Sequence, residues 1–177
     1  MQGAQGKVTI VMIQPENARR VRPNMPHYGV EVEETESMLT WDWVERQMAS
    51  ARNYWLCTTC PDGRPHAAPV WGAWVEGQLF TATDRNSVKA RNITRDSRVV
   101  VHLESGDETV IFEGALSETT PSESLQARIN QVYIDKYELD PSLGEEGAVQ
   151  YRLKPHKVMA WLERDFPLTA TYWLFDD

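Results

Sequence analysis

The chain has 177 residues, 41% of them hydrophobic, and a formal net charge of −8. That length suits one domain with its own core, and the acidic balance argues against nucleic acid or an anionic membrane as partner, because their phosphates call for clustered Lys and Arg. No apolar run is long enough for a membrane span, and Lys7 followed by a short apolar patch at residues 8–13 does not make a signal peptide, so the expected compartment is the cytoplasm.

Residues 1–36 read as an N-terminal extension or arm, and residues 37–177 as one domain. Within the arm, 8–13 suits a strand. Residues 14–28 combine Pro15, Pro23 and Pro26 with Arg19, Arg20 and Arg22, a loop composition. Such an arm either stays loosely ordered or folds over a partner subunit or a ligand. Residues 40–51 read as a helix capped by Thr40, with Trp43, Val44, Met48 and Ala51 on one face. Three strands follow at 53–59, 66–75 and 78–83. Pro61-Asp62-Gly63-Arg64-Pro65 and Glu76-Gly77 are the turns between them, so the strands are antiparallel neighbours. Gly63 is expected at positive φ.

A short helix at 86–95 comes next, then a strand pair at 98–104 and 109–118. Thr120-Pro121-Ser122-Glu123 reads as a capping box with proline at the first helical position. Leu125, Ile129, Val132, Tyr133 and Lys136 then share a face. The acidic stretch 139–149 reads as a loop, and 150–164 and 168–175 as the last strands, with Pro155 marking an edge or bulge. Many short strands with two or three helices indicate an α+β barrel. Seven tryptophans belong in a core, in a subunit interface or beside a planar ligand.

The chemistry gathers where the strand at 78–83 feeds the helix at 86–95. Thr83, Arg85, Ser87, Lys89 and Asn92 supply hydroxyl, amide and cationic groups near a helix N-terminus, whose free N–H groups attract an anion. Lys89 and Asn92 are three apart and share a face, which makes Lys89 the first candidate; the competing interpretation is a solvated basic helix. Cys57 and Cys60 lie in a strand and at its turn without a second cysteine pair, so they read as small strand-end residues. His102 reads as a satisfied strand histidine. His66, just past the hairpin turn, is the better candidate to face a ligand, though no catalytic relay is visible around it. The carboxylates have no ligand spacing, so no metal site is expected.

Several segments together resemble a known family: Trp55-Leu56 with Thr58-Thr59, Pro61-Asp62-Gly63-Arg64-Pro65-His66, Pro69-Val70-Trp71-Gly72, the strand from Gly77 to Thr83, Ser87-Val88-Lys89-Ala90-Arg91-Asn92, and Arg98-Val99-Val100-Val101-His102-Leu103-Glu104. Their order and spacing resemble the flavin-binding split β-barrel superfamily, also called pyridoxamine 5′-phosphate oxidase-like. Within it the chain is most similar to the flavin/deazaflavin oxidoreductases.

The resemblance implies an antiparallel split β-barrel, a homodimer with the cofactor between subunits, and FMN, or alternatively coenzyme F420, as that cofactor. It also implies that the Ser87–Asn92 segment holds the cofactor phosphate and that Pro69, Val70 and Trp71 run past the ring. Two departures matter. Tyr172 stands in Thr171-Tyr172-Trp173 where many relatives carry Arg. The chain also ends Leu174-Phe175-Asp176-Asp177 rather than in a basic segment, which speaks against vitamin B6 oxidation. Two functions remain open at this point: an FMN- or F420-dependent oxidoreductase of unknown substrate, and a non-catalytic carrier of a flavin or other planar ligand.

Overall fold

The computed structural model describes residues 15, 17–32, 35–141 and 147–176; the expected strand at 8–13 lies outside them. In chain order the elements are β1 (Ala18–Val21), α1 (Trp41–Ser50), β2 (Tyr54–Thr59), β3 (Pro65–Val70), β4 (Gly72–Val75), β5 (Gln78–Asp84), α2 (Val88–Arg95), β6 (Arg98–His102), β7 (Glu108–Glu118), α3 (Glu123–Tyr137), β8 (Ala148–Leu162), the single turn α4 (Phe166–Thr169) and β9 (Thr171–Phe175). Every strand pairing is antiparallel, in the order β1-β9-β8-β7-β6-β2-β3, with β4 on β5 and β5 on β8. The expected α+β split barrel is therefore the fold. No helix among the described residues is long and apolar enough to cross a membrane.

The split is legible along β8. Its first part, Ala148 to Arg152, pairs with β5, and its later part, Lys157 to Ala160, pairs with β9. The exchange takes place at a bulge. Glu113 faces Lys157 but the next residue, Gly114, faces Pro155, so His156 is the extra residue. Pro155 thus marks the irregularity expected of it. Gly114 is what permits the close approach: a Cβ there would lie 2.3 Å from the Lys154 carbonyl oxygen and 2.9 Å from the Pro155 Cα.

α1 carries Trp41, Val44 and Met48 into the main core, where they join Tyr54, Leu56, Phe112, Val158 and Trp173. Thr40 caps it, accepting from the Trp43 N–H. α3 lies outside the β4–β5 hairpin and closes a second, smaller core of Ala73, Val75, Phe80, Ile129, Tyr133 and Tyr137.

Four boundaries differ from the sequence expectation. The single strand expected at 66–75 is two, broken at Trp71, because β3 pairs with β2 and β4 with β5. Gly72 makes the change of partner possible, since a Cβ would sit 2.9 Å from the Phe80 carbonyl oxygen. The cap of α3 is Ser122, not Thr120: its Oγ accepts from the Leu125 N–H, while Thr119 is still bonded to the Gln150 carbonyl of the sheet. The start of the last expected strand is instead α4, with β9 beginning at Thr171. Part of the arm, finally, is an edge strand, because β1 pairs with β9. Gly63 does adopt positive φ, at 84°.

Arg22 fixes the arm further. It is buried, and its guanidinium donates to the carbonyl oxygens of Pro167, Leu168 and Ala170 at the end of α4, as well as to that of Glu31. A cation at a helix C-terminus meets carbonyls that have no partner inside the helix.

Gly114→Ala should lower stability by about 1–3 kcal/mol, the usual cost of forcing extra volume into a packed position. Gly106→Ala, whose Cβ would meet nothing within 4 Å, should melt with the parent. Thermal denaturation of the two variants side by side checks this.

Candidate functional site

Among the described residues β3 has one strand partner, β2. At the hairpin the Cys60 N–H donates to the Arg64 carbonyl at 2.8 Å. Bonded and non-bonded pairs alternate in an antiparallel ladder. The bonded pairs are therefore Thr58/His66, Leu56/Ala68 and Tyr54/Val70. Pro65, Ala67 and Pro69 turn their backbone groups to the opposite edge, which is open among the described residues. Two of these three are prolines, so that edge offers three carbonyls and a single N–H, from Ala67.

α2 is pinned beneath this hairpin. Asn92 is buried, and its amide donates to Thr58 Oγ1 at 3.0 Å and approaches Cys60 Sγ at 3.8 Å. Thr58 Oγ1 in turn lies 3.4 Å from His66 Nδ1. Arg95 donates to the carbonyls of Thr59 and Cys60. Lys89 sits one turn before Asn92 on the same face of α2. Among the described residues it has no ion-pair partner.

At the start of α2, Ser87 is the N-cap. Its Oγ accepts from the Ala90 N–H at 3.1 Å and receives the Thr83 hydroxyl at 3.3 Å. Asp84 accepts the Asn86 N–H through its carboxylate and the Ser87 N–H through its carbonyl. The N–H groups of Val88 and Lys89 remain as the uncapped donors of the first turn. Arg85 forms a two-pronged ion pair with Glu118, at 2.8 and 3.0 Å, and this pairing holds the Glu118 carboxyl below its usual range. Arg85 would have to leave that carboxylate to reach an anion.

The structure thus brings Thr83, Ser87, Lys89 and Asn92 together with the β2–β3 hairpin. Asn92 has a structural bond that the sequence did not reveal, and Thr58 is a member that sequence reasoning missed. In the segment 69–71 the three residues face different ways. Pro69 presents its carbonyl to the open edge, Val70 is buried and turns its backbone to β2, and Trp71 projects with 44% of its surface exposed. The Trp71 indole stacks on Tyr137 of α3 with ring centres 4.5 Å apart and planes 10° from parallel. Its carbonyl is already engaged by Thr81 Oγ1 at 2.7 Å and by the Tyr133 hydroxyl at 3.3 Å.

His102 Nδ1 donates to the Leu103 carbonyl, 2.8 Å away, and the ring stacks on Trp55, as a satisfied strand histidine should. Cys57 and Cys60 are free thiols, and burial pushes the Cys57 thiol up. Among the described residues no three His, Cys, Asp or Glu side chains cluster as metal ligands. A cavity of about 630 Å³ is lined by Trp41, Gln78, Leu153, Pro155 and Phe175 in the barrel's split. It lies at the opposite end of β5 from α2.

The sequence pattern of the Pyridoxamine 5'-phosphate oxidase family matches residues 41–162, most of the chain and all of β2 to α2. The chain belongs to this family. No curated protein sequence matches it. Among solved structures, the conserved hypothetical protein Rv2991 of Mycobacterium tuberculosis superposes with a TM-score of 0.63 at 27% identity, over 75% of this chain and 91% of that one. A protein named F420 reductase gives 0.51 at 20% identity, over 64% and 94%. The heme storage protein HutZ of Vibrio cholerae gives 0.53 at 15% identity, over 63% and 87%. The last two speak for the fold alone.

A titratable group outside the sequence candidates lies at the C-terminal turn of α3. Lys136 donates from Nζ to the Ala51 carbonyl at 2.8 Å and to the Tyr54 hydroxyl at 2.9 Å. Burial holds its ammonium down to about 8, from an ordinary 10.5. A lysine with a depressed folded pKa binds fewer protons than the unfolded chain between those two values, so stability rises with pH across that window. Above pH 10 the buried Tyr54 and Tyr133 hydroxyls, whose pKa values are raised by burial, pull the other way. The stability of the parent relative to Lys136→Met should therefore increase from pH 8 to pH 10. Urea melts of both proteins at the two pH values measure it.

Proposed function

We propose that the protein binds a phosphorylated tricyclic cofactor, FMN or alternatively coenzyme F420, beside the open edge of β3, and acts as an oxidoreductase on a small molecule. The observation that carries this reading is the open β3 edge with its single Ala67 N–H, on the hairpin to which Asn92 pins α2, the helix that carries Lys89. A planar ring with a polar rim needs a few fixed donors and acceptors against an apolar wall. The carbonyls of Pro65, Ala67 and Pro69 and the N–H of Ala67 supply the first, and the Trp71 indole supplies the second. Lys89, with the uncapped N–H groups of α2 and the Thr83 and Ser87 hydroxyls, would hold the phosphate. Asn92 holds α2 against Thr58 so that Lys89 stays on that side. When bound, the cofactor supplies the hydride chemistry; the chain binds it, orients it and shields it from water.

Family membership supports the reading, as does a structural relative named F420 reductase. The relative named as a heme storage protein supports the second reading, a carrier that holds a planar ligand without turnover. A visible spectrum separates them. A bound flavin-type chromophore bleached by NAD(P)H or another reductant favours the oxidoreductase, and a bound chromophore that never changes redox state favours the carrier.

Lys89→Ala should weaken FMN binding about 10- to 150-fold, the equivalent of losing one hydrogen bond to a charged group. Riboflavin, which lacks the phosphate, should lose much less. Calorimetry at fixed ionic strength checks both, and equal FMN affinity in parent and variant would return Lys89 to the solvated helix surface.

A homodimer completes the proposal. Cross-strand partners on the outer face of the sheet form one row: Pro69, Trp55, His102, Ile111, Met159, Tyr172 and Val21, one residue from each of seven strands. At about 4.8 Å per strand the row is roughly 29 Å long, wide enough for a standard interface of about 800 Å² per partner. Beside it Glu113 pairs with Lys157 at 3.5 Å, so the face carries both signs of charge and can meet a copy of itself. Light scattering should show a dimer at micromolar concentration and a monomer after Ile111→Lys; a monomeric parent would remove this part of the proposal.

A further inference from the structure

α3 is joined to the rest of the chain at its last turn by bonds that do not belong to ordinary helix packing. Tyr137 Oη receives the Gly72 N–H at 2.9 Å and lies 3.0 Å from the Gly72 carbonyl and 2.6 Å from the Arg52 carbonyl. One turn earlier, Tyr133 donates to the Trp71 carbonyl at 3.3 Å. One face of the Tyr137 ring carries the stacked Trp71 indole, and the Arg52 guanidinium lies 5.5 Å from the ring centre. Lys136, between the two tyrosines, bonds the Ala51 carbonyl. Contacts from Tyr133, Lys136 and Tyr137 thus converge on two segments: the one leading into β2 and the break between β3 and β4.

We propose that the C-terminal turn of α3 is a positioning clamp, in which Tyr137 fixes both the Trp71 side chain and the Gly72 peptide. Trp71 is half exposed, and a free indole on a strand break would sample several rotamers. Stacking on Tyr137 selects one, and the hydrogen bond from the Gly72 N–H to Tyr137 Oη stops the break from hinging. α3 otherwise closes the small core over the β4–β5 hairpin and pairs Arg128 with Glu76, so movement of this helix would be transmitted to Trp71. The clamp rests on the reading above that Trp71 walls the cofactor ring; Tyr137 touches no reacting atom and acts through Trp71.

The test uses the full chain labelled with 5-fluorotryptophan, the Trp71 fluorine line being the one lost in Trp71→Phe. In Tyr137→Leu this line should move toward the position of a solvent-exposed indole, and the FMN dissociation constant should rise roughly three- to tenfold, the scale of one aromatic pair. In Tyr137→Phe the stack remains and the line should stay near its parent position. The Gly72 amide, having lost its acceptor, should exchange with solvent faster than in the parent. A Trp71 line that does not move in Tyr137→Leu, or a Gly72 amide exchanging at the parent rate in Tyr137→Phe, overturns the clamp. If the line moves as expected while Trp71→Ala binds FMN like the parent, the clamp stands and the ring-wall reading falls. If Tyr137→Leu does not fold, the Tyr137→Phe exchange rate alone decides.

Discussion

The fold depends on one close approach, that of the Gly114 backbone to the Lys154 carbonyl. β8 is the longest strand of the barrel, and it must serve β5 along its first part and β9 along its second. A regular strand would keep its side chains in one phase and run straight on. The bulge at His156 adds a residue, increases the local twist and turns β8 from one neighbour to the other. Two backbones can come this near only where no Cβ intervenes. The split, the cavity within it and the placing of α1 over the opening all follow from that turn.

Much of this was legible before any coordinates. Strand alternation and the turn residues placed β2, β5, β6 and β7 to within a residue or two at most ends. Thr40 was recognisable as a cap because its hydroxyl is followed by a strongly apolar helix face. The failures have local causes. Residues 66–75 look like one strand because the apolar run continues through Trp71, and only the exchange of partners divides it. Thr120 and Pro121 satisfy the pattern of a helix start, yet the sheet still holds Thr119, and the later Ser122 wins. Arg20 and Arg22 in a proline-rich stretch gave a loop composition; nothing in that stretch announces that Val21 will pair with β9 or that Arg22 will be buried against α4, because both partners lie about 150 residues away.

The site was legible in outline for a different reason. Lys89, Ser87 and Thr83 form a local cluster, and local clusters survive folding nearly intact. Asn92 belonged to that cluster by spacing, but its amide is drawn inward by Thr58, a contact between residues 34 positions apart. Trp71 stood out through the family resemblance, as part of a segment expected to run past a ring, whereas Tyr137, on which it lies, was lost among the apolar positions of α3. A stripe drawn through Leu125, Ile129, Tyr133 and Lys136 passes one residue short of it. Tertiary partners of this kind leave no periodic signal, so a tyrosine near a helix end remains indistinguishable from a packing residue until the opposite surface is known.

The prolines of β3 have a consequence for the behaviour of the protein in bulk. A sheet edge recruits a foreign strand by offering donors and acceptors in alternation. The free edge of β3 interrupts that pattern, since Pro65 and Pro69 leave it with acceptors and one donor. An extended chain laid alongside would bury carbonyls without partners. At the far end of the sheet β1 is only four residues long and exposes Arg19 and Arg20, a short charged margin that resists the same growth. Both ends of the strand order are therefore poor seeds for cross-β polymerisation, and a concentrated solution of this barrel is steered away from fibrils by two prolines and two arginines whose side chains never enter the core.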